Sequence, residues 1–135
     1  MNMKNDDSKI FVEVGAGELI DKITILMIKL ERIADPKKLV NINTELEALH
    51  PAKARLLNHY PTLPSLESEL KAVNEGLWII EDDIRACESV KDFGEKFIAL
   101  ARSVYIENDK RAELKKKINI LCEASIVEEK SYHGF

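Results

Sequence analysis

GAGELIDKITILMIKLERIA, residues 15–34, is the stretch that decides the fold. Leu19, Ile23, Leu26, Leu30 and Ile33 recur at steps of four and three, the spacing that lines one face of an α-helix. Ile20 and Met27 widen that face, and Ile25 and Ile28 lie on the opposite side. A helix that is apolar nearly all round is buried on more than one side. This stretch is therefore expected to be the central helix of a small helical domain. Its polar residues Glu18, Asp21, Lys22, Thr24 and Lys29 are expected to be crowded by neighbours.

Outward from that helix, Lys9–Val14 (KIFVEV) is short and β-branched and reads as a strand. One strand cannot satisfy its own backbone, so it is expected to pair with Ser125-Ile126-Val127 or with a second copy of the chain. Gly15 and Gly17 would turn the backbone into the helix. On the other side, Asp35-Pro36 marks a boundary, with Asp35 as cap and Pro36 in the first turn of the next helix. Leu39, Ile42, Leu46 and Leu49 give that helix one apolar side, and Pro51 is expected to kink or restart it. After the loop Tyr60–Pro64, Ser65 is the expected cap of a third helix. Leu66, Leu70, Val73, Leu77, Ile80, Ile84 and Cys87 alternate strictly by four and three, a heptad seam that packs lengthwise on a partner. Asp92 and Glu95 have the spacing of a capping box, which starts a fourth helix near Phe93 that runs to about Ala124. The expected architecture is an all-α antiparallel bundle of about four helices with a minor N-terminal β-strand. Residues 1–8 are expected to be disordered, 9–127 to form a single helical domain, and 128–135 to be a tail that docks on it.

The totals agree. Of 135 residues, 45% are hydrophobic, 33% charged and 6% aromatic, which suits long amphipathic helices better than a β-sandwich. A net charge of −4 argues against a non-specific grip on nucleic acid, which needs a basic footprint. Cys87 and Cys122 fall on apolar stripes and read as reduced core thiols, with no zinc-type spacing around either. MNMKNDDSK has no apolar stretch of a signal peptide, and no run approaches a membrane span of about 18 residues. The expectation is a cytoplasmic protein without membrane or nucleic-acid partners, and the unpaired strand and long last helix favour a homodimer.

Chemistry is concentrated in the fourth helix. Its buried side (Phe93, Phe97, Leu100, Val104, then Leu114, Ile118, Leu121) is interrupted by Glu107 and Arg111, with Asn108 and Lys115 on the neighbouring row. Charges facing a core are costly unless paired. Partners are available in Glu81, Asp82, Asp83 and Arg85 of the third helix and in Asp21 and Lys22 of the central one. Three outcomes follow: a solvated face with ordinary interhelical ion pairs, a polar protein interface, or a pocket of Asp21, Lys22, Glu81, Arg85, Arg102, Tyr105, Asn108, Arg111 and Lys115. Cationic donors in that number suit a small anionic ligand, a phosphate or carboxylate.

Other patterns are incomplete. Glu47-Ala-Leu-His50 has the spacing of a helical di-iron site but no second copy, so no metal and no cofactor are expected. Glu18-Leu-Ile-Asp21 is half of the acidic motif of all-α nucleotide pyrophosphohydrolases, and the other half is missing. The opening helix resembles that of chorismate mutase but has only Arg32 where that family needs two arginines.

A closer resemblance is to a small bacterial family classed as a domain of unknown function. It is carried by Val14-Gly15 with Gly17-Glu-Leu-Ile-Asp-Lys-Ile-Thr-Ile-Leu26 and Lys29-Leu-Glu-Arg-Ile33. Further on it is carried by Leu77–Asp82 (LWIIED), Ala101–Tyr105 (ARSVY), Asn108–Ala112 (NDKRA) and Glu128–Tyr132 (EEKSY). Ala16 stands as an extra residue against that pattern. The resemblance implies a link with glycosyltransferase and tetratricopeptide segments, hence a glycosyltransferase-type partner, but no reaction. The expected function is a small binding or accessory protein beside glycan-assembling enzymes. The alternative is an enzyme acting on a phosphorylated or carboxylated metabolite, with Arg102, Arg111 and Lys115 holding the anion and Asp21 or Glu81 moving a proton. The EEKSY tail is expected to dock with Tyr132 as an anchor and Glu128 or Glu129 on cations of the fourth helix.

Overall fold

In the computed structural model, which describes residues 8–134, four helices follow one another: α1 (Ala16–Arg32), α2 (Pro36–His59), α3 (Leu63–Ser89) and α4 (Glu95–Leu121). The protein is an all-α bundle. Helices α3 and α4, 27 residues each and about 40 Å long, form an antiparallel hairpin. The shorter α1 and α2 pack over one side of its base. The core joins Ile20 and Ile23 of α1 to Leu63 and Leu70 of α3 and Ile118 of α4, with Leu46, Leu49, Leu56 and Leu57 of α2 against it.

The all-round apolarity of α1 is answered by its burial: between Gly15 and Leu30 only Glu18 and Lys22 are exposed. Its start is unusual. Gly15 is the N-cap and has no side chain to satisfy the free amides, so Asn119 of α4 does so, its Oδ1 accepting from the Gly17 N–H at 2.8 Å. The glycines do not serve a turn, since both backbones are ordinary for any residue. They permit contact. A Cβ on Gly17 would collide with the backbone carbonyl of Lys115, and one on Gly15 would lie 2.6 Å from the carbonyl oxygen of Ile126. Ala16 opens the helix and packs against the core.

Asp35 caps α2, its Oδ1 accepting from Lys37 N at 3.0 Å, with Pro36 in the first turn. The expected break at Pro51 does not occur: α2 runs through it to His59. Pro51 is exposed, and Leu49 before it with Leu56 and Leu57 after it all pack on the same core, which holds the helix across the missing hydrogen bond. Helix α3 begins at Leu63, two residues before Ser65, because Leu63 is wholly buried and draws the first turn inward. The capping box is not formed; Asp92 instead accepts from Gly94 N at 3.0 Å, and α4 starts at Glu95.

The N-terminal strand is corrected. Among the described residues no strand exists, and residues 9–15 form no regular element. Val14 and Ile126 do line one small groove, so the two β-like segments meet at Gly15, but they part before a ladder can form. Ile10 and Phe11 are each 87% exposed. The expectation of disorder over residues 1–8 lies outside the described residues except for Ser8.

Candidate functional site

The polar interruption of α4 lands where α1 crosses the hairpin. Asp21 is 2% exposed. Its Oδ1 accepts from Arg111 Nε and from Asn74 Nδ2, both at 2.9 Å, and its Oδ2 accepts from Arg111 Nη2 at 2.6 Å. Asn74 also donates to Thr24 Oγ1 at 2.9 Å, and Thr24 donates to the Asp21 carbonyl at 2.8 Å. A buried carboxylate is stable only when paired and hydrogen-bonded, and here three donors from two helices meet it. The hydrogen bond to Asp21 holds the Arg111 guanidinium above its ordinary pKa.

One turn further along α4, Lys115 Nζ lies 2.8 Å from Glu18 Oε2 and 2.8 Å from Glu128 Oε2, joining α1, α4 and the tail. Burial pulls the Lys115 pKa down, but the hydrogen bonds to Glu128 and Glu18 outweigh it and leave the value raised. The same contact holds Glu128 below the usual carboxylate range. Lys130 of the tail sits 3.7 Å from Asp109 and 5.1 Å from the Tyr132 ring centre. Glu18, Asn108, Arg111, Lys115, Glu128 and Lys130 line a polar cleft of about 330 Å³, with Ala112 at its base. On the far side of Lys130, Tyr105, Asp109, Tyr132 and His133 line a second groove of about 620 Å³.

Of the nine residues anticipated for a pocket, the structure brings four together: Asp21, Asn108, Arg111 and Lys115. Tyr105 faces the neighbouring groove. Lys22 is elsewhere, paired with Glu45 of α2 at 2.9 Å. Glu81 and Arg85 pair with each other at 3.0 Å on an exposed face, about 10 Å beyond Asn74 along α3. Arg102 is exposed and lines neither groove. These four were expected from charge alone. Which face of a helix a charge takes is set by the crossing of α1, and no periodicity in the chain reports that. Asn74 and Thr24 join the contacts around Asp21, and Lys130 lines the cleft; the pocket expectation lacked all three. Asn74 carried a signal, being a polar residue beside an otherwise clean seam. Glu128 makes the expected contact with a cation of α4, whereas Tyr132, 80% exposed, does not anchor the tail.

Cys87 and Cys122 are free, and no helix among the described residues is long and apolar enough to cross a membrane.

These features define a small all-α protein whose first helix, last helix and tail converge on one charge-paired cleft. A family model described as a family of unknown function (DUF6165) matches residues 10–134, and the chain belongs to that family. No curated protein and no solved structure matches it.

Proposed function

We propose that the chain is a small binding protein that engages an anionic group, a phosphate or carboxylate, in the cleft between α4 and the C-terminal tail. One observation carries this reading. Three stretches far apart in sequence, GELID, NDKRA and EEKSY, bring Glu18, Asn108 with Arg111, and Glu128 with Lys130 to the lining of a single cleft, which Lys115 completes. Lys115 already holds two carboxylates, that of Glu18 on α1 and, from the tail, that of Glu128. An exogenous anion that displaces the Glu128 carboxylate meets Lys115, Lys130 and the outer edge of Arg111, whose Nη1 has only a long 3.4 Å contact to Asn108.

The binding reading is preferred to the enzymatic alternative on chemical grounds. Asp21 accepts three hydrogen bonds, lies buried against the Arg111 guanidinium and is not part of the cleft lining, so it is held as a structural partner and not where a bound metabolite could give it a proton. Glu81 and Arg102 stand away from the cleft. The remainder of the proposal is an accessory role: a cytoplasmic, homodimeric bacterial protein acting beside a partner of the glycosyltransferase type that the family resemblance implies.

The test is calorimetric titration and thermal shift with inorganic phosphate, pyrophosphate and citrate. A ligand at one hundred times its dissociation constant adds about 2.7 kcal/mol, about 9 °C in Tm for a chain of this size. Binding by the wild type and its loss in Lys115→Met support the reading. No heat and no shift with any of the three removes it.

A further inference from the structure

We infer that the outer face of the α3–α4 hairpin, turned away from α1 and α2, is a contact surface for a second copy of this chain; the inference rests on the dimeric reading above and deepens it. Asn74 fixes which way α3 faces, because its side chain meets Asp21 and Thr24 of α1. On the opposite side of α3, at steps of four and three, run Ala72, Gly76, Ile79, Asp83, Ala86 and Val90. Arg111 and Asn119 fix α4 in the same way, and its outward row passes through Ala99, Ser103, Ile106, Lys110 and Lys117. Over most of its length this face is small or apolar, and Ile79 and Val90 are 47% and 72% exposed. Near its base the two helices enclose a groove of about 370 Å³ to which α1 and α2 contribute nothing.

Area leaves room for a second copy. The chain exposes 9778 Å², whereas a folded monomer of 15.4 kDa exposes about 7,200 Å². The non-helical segments at both ends supply part of the difference. The uncovered hairpin supplies another part, because two helices alone touch along one line and leave their seam open. Leu77, Ile80, Ile84, Phe97, Leu100 and Val104 are only half-buried, and none belongs to the core cluster. A standard interface removes about 1,600 Å² in total, which the excess accommodates. A second hairpin laid on the first closes both seams as a four-helix layer. Charge favours the same arrangement. On this face α3 carries the acids Glu69 and Asp83, and α4 carries the lysines Lys110 and Lys117 with one acid, Glu113, between them, so α3 of one copy over α4 of the other sets a negative row against a net positive one. Glu69, Asp83 and Lys117 have no ion-pair partner among the described residues.

The experiment is sedimentation equilibrium of the full chain from 1 to 100 µM, with Ile79→Glu as the disrupting variant and Phe11→Glu as a control on the exposed N-terminal segment. Far-UV circular dichroism establishes that each is folded, and Ala86→Arg replaces Ile79→Glu if that variant is not. The expected result is a dimeric wild type, a dimeric Phe11→Glu and at least a hundredfold weaker association of the hairpin variant. A monomeric wild type across the range overturns the dimeric reading itself. A dimeric wild type with an equally dimeric hairpin variant leaves the dimer standing and overturns its assignment to this face.

Discussion

Replacing Arg111 by alanine separates a structural charge from a ligand-binding one. In the native protein Asp21 is 2% exposed and takes two of its three side-chain hydrogen bonds from Arg111. Removing the guanidinium leaves a buried carboxylate with only Asn74 for support, and uncompensated buried charges of this kind cost about 3–5 kcal/mol. Arg111 is itself 31% exposed at its side chain, so water reaches part of the vacated space and the lower end, about 3 kcal/mol, applies. Against a total stability of about 5–15 kcal/mol that is a large fraction. With an unfolding entropy of about 2.1 cal/mol/K per residue it lowers Tm by about 10 °C. The assay is urea unfolding followed by circular dichroism at one fixed protein concentration, with Asp21→Asn and the double variant completing a cycle. Neutralising Asp21 in the Arg111→Ala background recovers part of the loss, because the orphaned charge is gone. A cost below about 1 kcal/mol for Arg111→Ala, or strict additivity of the two changes, refutes the buried-pair argument and returns Arg111 to the ligand.

Two further outcomes follow from the geometry. Gly17→Ala drives a methyl into the Lys115 carbonyl, and because backbone cannot yield as a side chain can, the expected cost is about 1–3 kcal/mol, read as a lower urea midpoint at unchanged slope. The contact of the tail with α4 depends on pH in a defined sense. The Glu128 value is depressed from its ordinary 4.5 by Lys115, so its contribution is complete above 4.5 and is lost as pH falls through the depressed value. Lys115 is raised from 10.5, so its contribution is complete below 10.5 and is lost as pH rises through the raised value. Titration of the Glu128 carboxyl carbon by NMR gives a midpoint below 4.5, moving back toward 4.5 in Lys115→Met; a midpoint at or above 4.5 in the wild type contradicts the contact.

What could be read from the chain was periodic, and what could not was relational. The apolar surround of α1 announced a buried helix, and the seam from Leu66 to Cys87 announced a helix packed lengthwise on a partner, because side-chain spacing maps directly onto helix faces. Asp35-Pro36 was legible because an Asp cap and a proline in the first turn are local rules. KIFVEV misled because β-branched residues state a preference for extension and not the presence of an edge to pair with. Pro51 misled for the converse reason: a local penalty was outweighed by leucines on either side that share one core. The cleft divides along the same line. That α4 carries charges where a core should be was visible as a break in its stripe. That Arg111 meets Asp21, while Lys22 turns to α2 and Arg85 pairs within α3, is decided by the path of α1 across the hairpin. That path is in turn set by Gly17, the one residue of α1 small enough to seat against the α4 backbone, and by Asn119, which meets its free amide. The buried pair, the open cleft and the tail carboxylate on Lys115 are thus consequences of one close approach between two helices.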